Sequence, residues 1–258
     1  LASKQSTLET KSSELNTKMI TLKSKREIEL MDKAGTIVAL VHKKLKEVIV
    51  PGISTAQIDK ICEEVIRENG GTPSFKGLYD FPGAVCTSVN DILVHGIPSH
   101  SVILKDGDII TVDVGACYKG YHGDSAWTYP VGNVKESTLE LLKVTEEALY
   151  KGLEMAKPGN RVGDISNAIQ TYVEAHGYST PIEYTGHGVG KKVHEDPYVP
   201  NVGKPHTLEL LKPGMCIAIE PMVFEGKPHC VTLDDGWAVV NKERSMSAHY
   251  EHTIAITS

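Results

Sequence analysis

Apolar residues recur at helical spacing in four segments of the chain. In the first segment, Ser24 and Glu27 have the spacing of a capping box, and Pro51-Gly52 provides a stop signal. The apolar positions between these signals are Ile28, Met31, Val38, Val41, Leu45 and Val48. This pattern predicts one long amphipathic helix.

Three further segments have the same helical character. The pattern predicts a second helix over residues 55–69, which Gly70-Gly71 ends, and a third over residues 138–156, which Pro158-Gly159 ends. A fourth helix, ended by Gly177, carries the apolar positions Ile165, Ala168, Ile169, Tyr172 and Val173. The chain therefore contains two pairs of consecutive helices.

The two helix pairs belong to an internal repeat with a constant offset of 107 residues. The positions that this offset relates are Pro51 and Pro158, Gly70 and Gly177, Leu104 and Leu211, and Asp113 and Glu220. Each half runs helix, helix, then strands, with residues 109–113 and 217–220 as equivalent strands. We expect an α+β fold with two halves about an approximate twofold axis, because neither half alternates strand and helix as a doubly wound sheet does.

Composition narrows the classes of protein and partner. The 258 residues include 27 basic and 33 acidic side chains and no dense basic run, which argues against nucleic acid as a partner. No apolar stretch approaches the roughly 20 residues that span a bilayer. Residues 1–18 are predicted to be a flexible extension without the apolar block of a secretory signal, and residues 19–258 a single domain. The expected compartment is the cytoplasm.

Four carboxylates stand in or beside apolar strands. Asp113 lies in TVDVG, Asp124 follows eleven residues later at a spacing that suits a hairpin, and Glu220 ends the run IAIE. Glu251 precedes the final apolar strand. Each has an ordinary alternative when taken alone, such as a buried ion pair for Asp113 or an exposed strand end for Glu251.

Converging carboxylates repel one another unless they are protonated or neutralised by cations. Two divalent ions balance four carboxylate charges, and we expect His187, flanked by glycines in TGHGVG, to add one imidazole. Oxygen ligands with one imidazole suit Co, Mn, Fe or Zn. A phosphate-binding loop is the alternative for TGHGVG, but the Gly-Lys-Ser/Thr ending is missing. His95, His194 and His252 also lie near Gly or Pro turns, where a surface histidine is the alternative.

Nine motifs in order resemble those of bacterial type I methionine aminopeptidases, over residues 19–257. They are CTSVN at 86–90, VHGIP at 94–98, LKDGD at 104–108, VDV at 112–114, GD at 123–124, GHGVG at 186–190, HEDP at 194–197, IEPM at 219–222 and YEHT at 250–253. The resemblance implies a pita-bread fold with a curved antiparallel sheet. It also implies hydrolysis of the N-terminal methionine of nascent polypeptides through a water activated by two metal ions.

The resemblance further implies a role for individual residues. One metal would be held by Asp113, Asp124 and Glu251, and the other by Asp124, His187, Glu220 and Glu251. His95 would contact the substrate amine or the scissile nitrogen, His194 would polarise the scissile carbonyl, and Glu220 would also move protons. Cys86, Phe81 and Trp237 would line the methionine pocket. Leu78 and Val193 depart from the family pattern, which leaves the width of the pocket open.

Two alternative functions share this fold. One is an Xaa-Pro aminopeptidase or prolidase, although these enzymes usually carry a large additional N-terminal domain. The other is a catalytically inactive binding module, which typically lacks some of the five ligands. The expected substrates are the N-termini of peptides and nascent chains, and a transient contact with the ribosome is left open. The expected oligomeric state is a monomer. Neither membrane nor nucleic-acid binding is expected.

Overall fold

A computed structural model describes residues 19–258; the predicted extension at residues 1–18 lies outside them. The helices of the described chain are α1 (Lys25–Val48), α2 (Thr55–Glu68), α3 (Glu136–Met155) and α4 (Val162–Ala175). The strands are β1 (Thr72–Pro73), β2 (Val85–Val89), β3 (Ile92–Val94), β4 (Ile109–Tyr118), β5 (Tyr121–Pro130), β6 (Thr185–Gly188), β7 (Glu195–Pro200), β8 (Cys216–Ile219), β9 (Met222–Phe224), β10 (Cys230–Thr232), β11 (Val239–Asn241), β12 (Ser247–His249) and β13 (His252–Ala255).

The four predicted helices are confirmed, with small shifts at their ends. At the start of α1, the Ser24 side chain accepts from the Glu27 backbone N–H and the Glu27 carboxylate accepts from the Ser24 N–H, as the capping-box spacing predicted. The buried face of α1 carries Met31, Ala34, Ile37, Val38, Val41 and Leu45. Within residues 19–258, none of the helices combines the length and the apolar character that a membrane span requires.

The internal repeat is visible in the backbone. Helix α4 lies at the 107-residue offset from α2 at both of its ends. Gly52 and Gly159 have φ values of 97° and 93°, in the left-handed region that favours glycine. The Gly52 N–H donates to the Leu104 carbonyl at 2.8 Å, and the Gly159 N–H donates to the Leu211 carbonyl at 3.3 Å. The prediction of two equivalent halves is therefore confirmed.

Each half has an apolar core between its helices and its strands. In the first half, α1 and α2 pack on β4 through a cluster that includes Val41, Ile58 and Val112. In the second half, α3 and α4 pack on β8 through a cluster that includes Leu149 and Ile169. All strand pairings of the described chain are antiparallel. The helices thus cover one side of the strands, and the acidic side chains can converge on the other.

Candidate metal centre

The β4–β5 hairpin brings the first two carboxylates together. Asp113 on β4 lies opposite Ala126, and Asp124 on β5 lies opposite Gly115. Since residues two apart on a strand share a face, Asp113 and Asp124 are diagonal neighbours on one face of the hairpin. The predicted hairpin is confirmed. Its pairing alone brings the two acids together, without help from segments remote in the sequence.

A second antiparallel ribbon positions the other two carboxylates. His252 pairs with Ile219 on one side, and His249 pairs with Met222 on the other, so the register places Glu251 opposite Glu220. The Glu251 N–H donates to the Ala126 carbonyl at 2.9 Å, which joins this ribbon to the β4–β5 hairpin. Glu251 is 1% exposed, which excludes the alternative of an exposed strand end.

His187 points from β6 towards these acids. Its Nε2 atom lies 3.5 Å from Asp124 Oδ2 and 3.4 Å from Glu220 Oε1. Its Nδ1 atom lies 2.9 Å from the Gly188 carbonyl oxygen, so an Nδ1–H donor leaves Nε2 free to bind an ion. A Cβ atom at Gly188 would lie 2.2 Å from the Asp196 carbonyl oxygen. Glycine is therefore required for the close approach of β6 and β7.

One cavity contains all five predicted ligands together with His95 and His194; its lining residues also include Phe75, Met222 and His249. Burial raises the pKa of Asp113, Glu220 and Glu251, and the charge on Asp124 raises the pKa of each further. Among residues 19–258, Asp113 Oδ1, Glu220 Oε1 and Glu251 Oε1 are buried without a hydrogen-bond partner. A cation-free cluster of this kind is costly, and divalent ions would satisfy these oxygens.

Two neighbouring hydroxyl groups, which sequence reasoning did not single out, contact the expected ligands. The Thr253 hydroxyl lies 2.6 Å from Asp124 Oδ1 and accepts from the Asp124 N–H at 3.1 Å. The Ser125 hydroxyl donates to the Glu251 carbonyl at 2.6 Å. These contacts restrict the positions of Asp124 and Glu251, as hydrogen-bond partners of metal ligands generally do. Thr253 lies in the recognised YEHT motif, which is the signal that could have found it.

The residues expected to line a methionine pocket lie beside this cavity. Phe81, Cys86 and Trp237 pack in one apolar cluster with Phe75 and Val193. Phe75 belongs to both the cluster and the cavity wall, so the two are adjacent. The Phe81 and Trp237 rings meet edge to face at 5.1 Å. The three residues themselves do not line the cavity around the carboxylates.

Both histidines expected to contact substrate lie at the cavity. His95 is 8% exposed and adopts a positive φ of 63°. The His194 ring stands edge to face with His187 at 4.4 Å between centroids and stacks with Tyr79 at 6.4 Å. His252, by contrast, stacks on Trp127 at 5.6 Å and does not line this cavity.

His249 is a further residue of the cluster that the sequence did not indicate. Its Nε2 atom lies 3.3 Å from Glu220 Oε2, and its side chain is buried. Within residues 19–258, two groups of donor atoms are close enough to hold an ion: one from Asp124, His187 and Glu251, and one from Glu220, His249 and Glu251. Glu251 is common to both groups, and Asp113 belongs to neither.

A family model described as metallopeptidase family M24 matches residues 29–258. The chain belongs to this family. Methionine aminopeptidase 1 of Bacillus subtilis (strain 168) is 56% identical to this M24 member over 93% of the chain and 96% of its own length. Methionine aminopeptidase of Escherichia coli (strain K12) is 41% identical over 92% of the chain and 90% of its own length.

Solved structures agree with this assignment. Methionine aminopeptidase from Thermotoga maritima matches the M24 member with a TM-score of 0.91 at 46% identity, covering 93% of this chain and 96% of that one. Prolidase from Pyrococcus furiosus matches with a TM-score of 0.75 at 26% identity, covering 92% of this chain and 63% of that one. The predicted pita-bread fold is confirmed. Family membership implies divalent metal binding, and the carboxylate and histidine donors described above fit such ions.

Proposed function

We propose that this M24 member is a methionine aminopeptidase that removes the N-terminal methionine of polypeptides. The observation that carries the proposal is the convergence of four carboxylates and His187 in one cavity next to the buried apolar cluster around Phe81 and Trp237. The relatives with the higher identity, at 41–56%, are methionine aminopeptidases, whereas the prolidase is 26% identical. The function of the relatives therefore favours methionine over Xaa-Pro substrates.

Five residues would hold two divalent ions of Co, Mn, Fe or Zn. Asp113, Asp124 and Glu251 would bind one ion, and Asp124, His187, Glu220 and Glu251 the other. The four carboxylate charges would be balanced by two dications, which removes the repulsion between the carboxylates. When bound, the ions would supply an activated water molecule and a Lewis acid for the peptide carbonyl.

The remaining cavity residues would orient the substrate and move protons. His95 would contact the substrate amine or the scissile nitrogen. An N–H of His194 would donate to the scissile carbonyl oxygen, which gains negative charge as the bond is attacked. The Glu220 carboxylate, which faces both His187 and His249, would accept a proton from water and return it to the leaving nitrogen.

Specificity would come from the apolar cluster. Phe81, Cys86 and Trp237, with Phe75 and Val193, would surround an unbranched thioether side chain and exclude branched ones. We further propose action on nascent chains in the cytoplasm by a monomer, with at most a transient ribosome contact. Residues 19–258 would then act as one catalytic domain.

A peptide panel tests the function directly. We expect hydrolysis of Met-Ala-Ser but not of Leu-Ala-Ser or Xaa-Pro peptides, and loss of activity with a chelator. His187→Ala is expected to abolish turnover with little change in circular dichroism, because the ring contributes a ligand rather than core packing. His100→Ala, at an exposed position, is the matched control. Preference for Xaa-Pro peptides would support a prolidase, and inactivity with every divalent metal would support a binding module.

A further inference from the structure

We propose that His249 is a sixth metal ligand, which binds one of the two ions through Nε2 together with Glu220 and Glu251. The inference rests on the metal centre of the proposed function and changes its composition. His187 approaches Glu220 at Oε1, at 3.4 Å, and His249 approaches it at Oε2, at 3.3 Å. The two rings thus lie at the two different oxygens of one carboxylate, so Glu220 would bridge the two ions instead of binding only one of them, and each ion would receive one imidazole.

The spacing between His249 and Glu220 is that of two ligands of one ion. Donors bound about 2.0–2.2 Å from an ion in tetrahedral geometry lie about 3.4 Å apart. The observed separation of Nε2 and Oε2 is 3.3 Å, yet neither ring nitrogen of His249 has a hydrogen-bond partner among residues 19–258. His187 has the same relation to the acids, with separations of 3.4 and 3.5 Å. His249 therefore reproduces the arrangement of an expected ligand.

The backbone holds the His249 ring towards the acids without help from an ion. His249 is the last residue of β12 and pairs with Met222 on β9. Its N–H donates to the Thr128 hydroxyl at 3.0 Å, and its carbonyl accepts from the same hydroxyl at 2.9 Å. The ring is buried in the cavity wall, where an unsatisfied imidazole is costly. Coordination removes that cost.

A second imidazole changes which ions the site prefers. Imidazole donors suit zinc and iron, whereas sites made of carboxylate and water suit manganese and magnesium. With His187 alone, one of the two ions would have only oxygen ligands. With His249, neither ion does, and we expect the preference for zinc over manganese to be larger in the wild type than in His249→Gln.

Zinc X-ray absorption counts the imidazole rings without measuring activity. The protein is loaded with two equivalents of zinc, and imidazole multiple scattering is fitted for the wild type, His249→Gln and His252→Gln. We expect about one ring per zinc in the wild type and about half a ring per zinc in His249→Gln. His252→Gln is the matched control, because His252 also neighbours Glu251 but stacks on Trp127 outside the cavity. Its count is expected to equal that of the wild type.

Zinc titration of the apoprotein provides a second measurement. Loss of a partner of a metal ligand typically costs about 10- to 100-fold in affinity, and loss of a direct ligand is expected to cost no less. We expect His249→Gln to lose at least about tenfold for one ion only. Glutamine can still donate a hydrogen bond to Glu220, so unchanged affinity and ring count in that variant would overturn the inference.

Measurements on the wild-type protein distinguish failure of the His249 inference from failure of the proposed metal centre. Two bound zinc ions with about half a ring per zinc would overturn the role of His249 and leave the metal centre standing. Failure of the wild type to bind two ions would overturn the centre itself, and the inference with it. The wild-type ring count does not depend on how well any variant folds.

Discussion

Lys23 and Glu195 form a buried ion pair that ties the segment before α1 to β7. The Nζ–Oε2 distance is 2.7 Å, and the two side chains are 3% and 15% exposed. Lys23 Nζ also donates to the Thr21 carbonyl at 3.2 Å. Replacing Lys23 with Met keeps an apolar chain of similar length but removes the charge. The Glu195 carboxylate would then be left largely buried without its cation.

Removing one partner of a buried pair typically costs about 3–5 kcal/mol. Glu195 retains some exposure and the Lys192 N–H at 3.1 Å, so we expect the lower end of that range for Lys23→Met. A loss of about 3 kcal/mol corresponds to a fall of about 6–12 °C in Tm for a chain of this size. By contrast, Lys44 and Glu47 are 45% and 59% exposed, and Lys44→Met is expected to cost about 0–1 kcal/mol.

Equilibrium urea unfolding followed by circular dichroism tests this magnitude. The set comprises the wild type, Lys23→Met, Glu195→Met, the double variant and Lys44→Met. We expect the double variant to be more stable than Lys23→Met, because apolar groups that replace both charges leave neither unpaired. If Lys23→Met stays within 1 kcal/mol of Lys44→Met, the argument from burial is refuted.

Three further tests concern Thr253, His42 and a pair of glycines, Gly188 and Gly35. Thr253→Val removes the hydroxyl that orients Asp124, so metal affinity measured by calorimetry is expected to fall about 10- to 100-fold. Burial lowers the pKa of His42 to about 4, so the unfolded chain binds a proton that the folded one does not between pH 6.5 and 4. The free energy of unfolding is therefore expected to fall with falling pH in that window, by at most about 1.4 kcal/mol per pH unit. In His42→Gln, the midpoint of urea unfolding is expected to depend less on pH over the same window. Gly188→Ala is expected to lower both Tm and metal affinity, because the added Cβ would lie 2.2 Å from the Asp196 carbonyl oxygen. Gly35→Ala in α1 is the comparison: no atom lies within 4 Å of the added Cβ, so the free energy of unfolding is expected to rise by up to about 1 kcal/mol.

Local signals explain why the helices could be predicted. The capping box at Ser24 and the glycines that end each helix act within a few residues, so they are readable without any distant contact. The repeat was readable for a related reason, since the two halves require the same turns at the same positions. Strand ends were less predictable: β4 extends to Tyr118, five residues beyond the predicted run that ended at Asp113.

The four carboxylates among the expected ligands were recognisable because a carboxylate in or beside an apolar strand is costly and calls for a partner, and His187 was recognisable from its flanking glycines. His249 carried no such signal, since a histidine at a strand end is ordinary in sequence. Whether its ring faces Glu220 depends on the register of β12 against β9. Lys23 and Glu195 are 172 residues apart, and nothing local relates them.

The amino-acid sequence by itself determined the helices, the duplicated halves and the candidate ligands of divalent ions, because periodicity, helix caps and carboxylates within apolar runs are properties of short segments. The tertiary structure alone decided which of these side chains meet. Strand register brings Glu251 opposite Glu220, places His249 at the second oxygen of that carboxylate, and buries Lys23 against Glu195. Such pairings depend on distances between remote segments, which are fixed when the two halves pack.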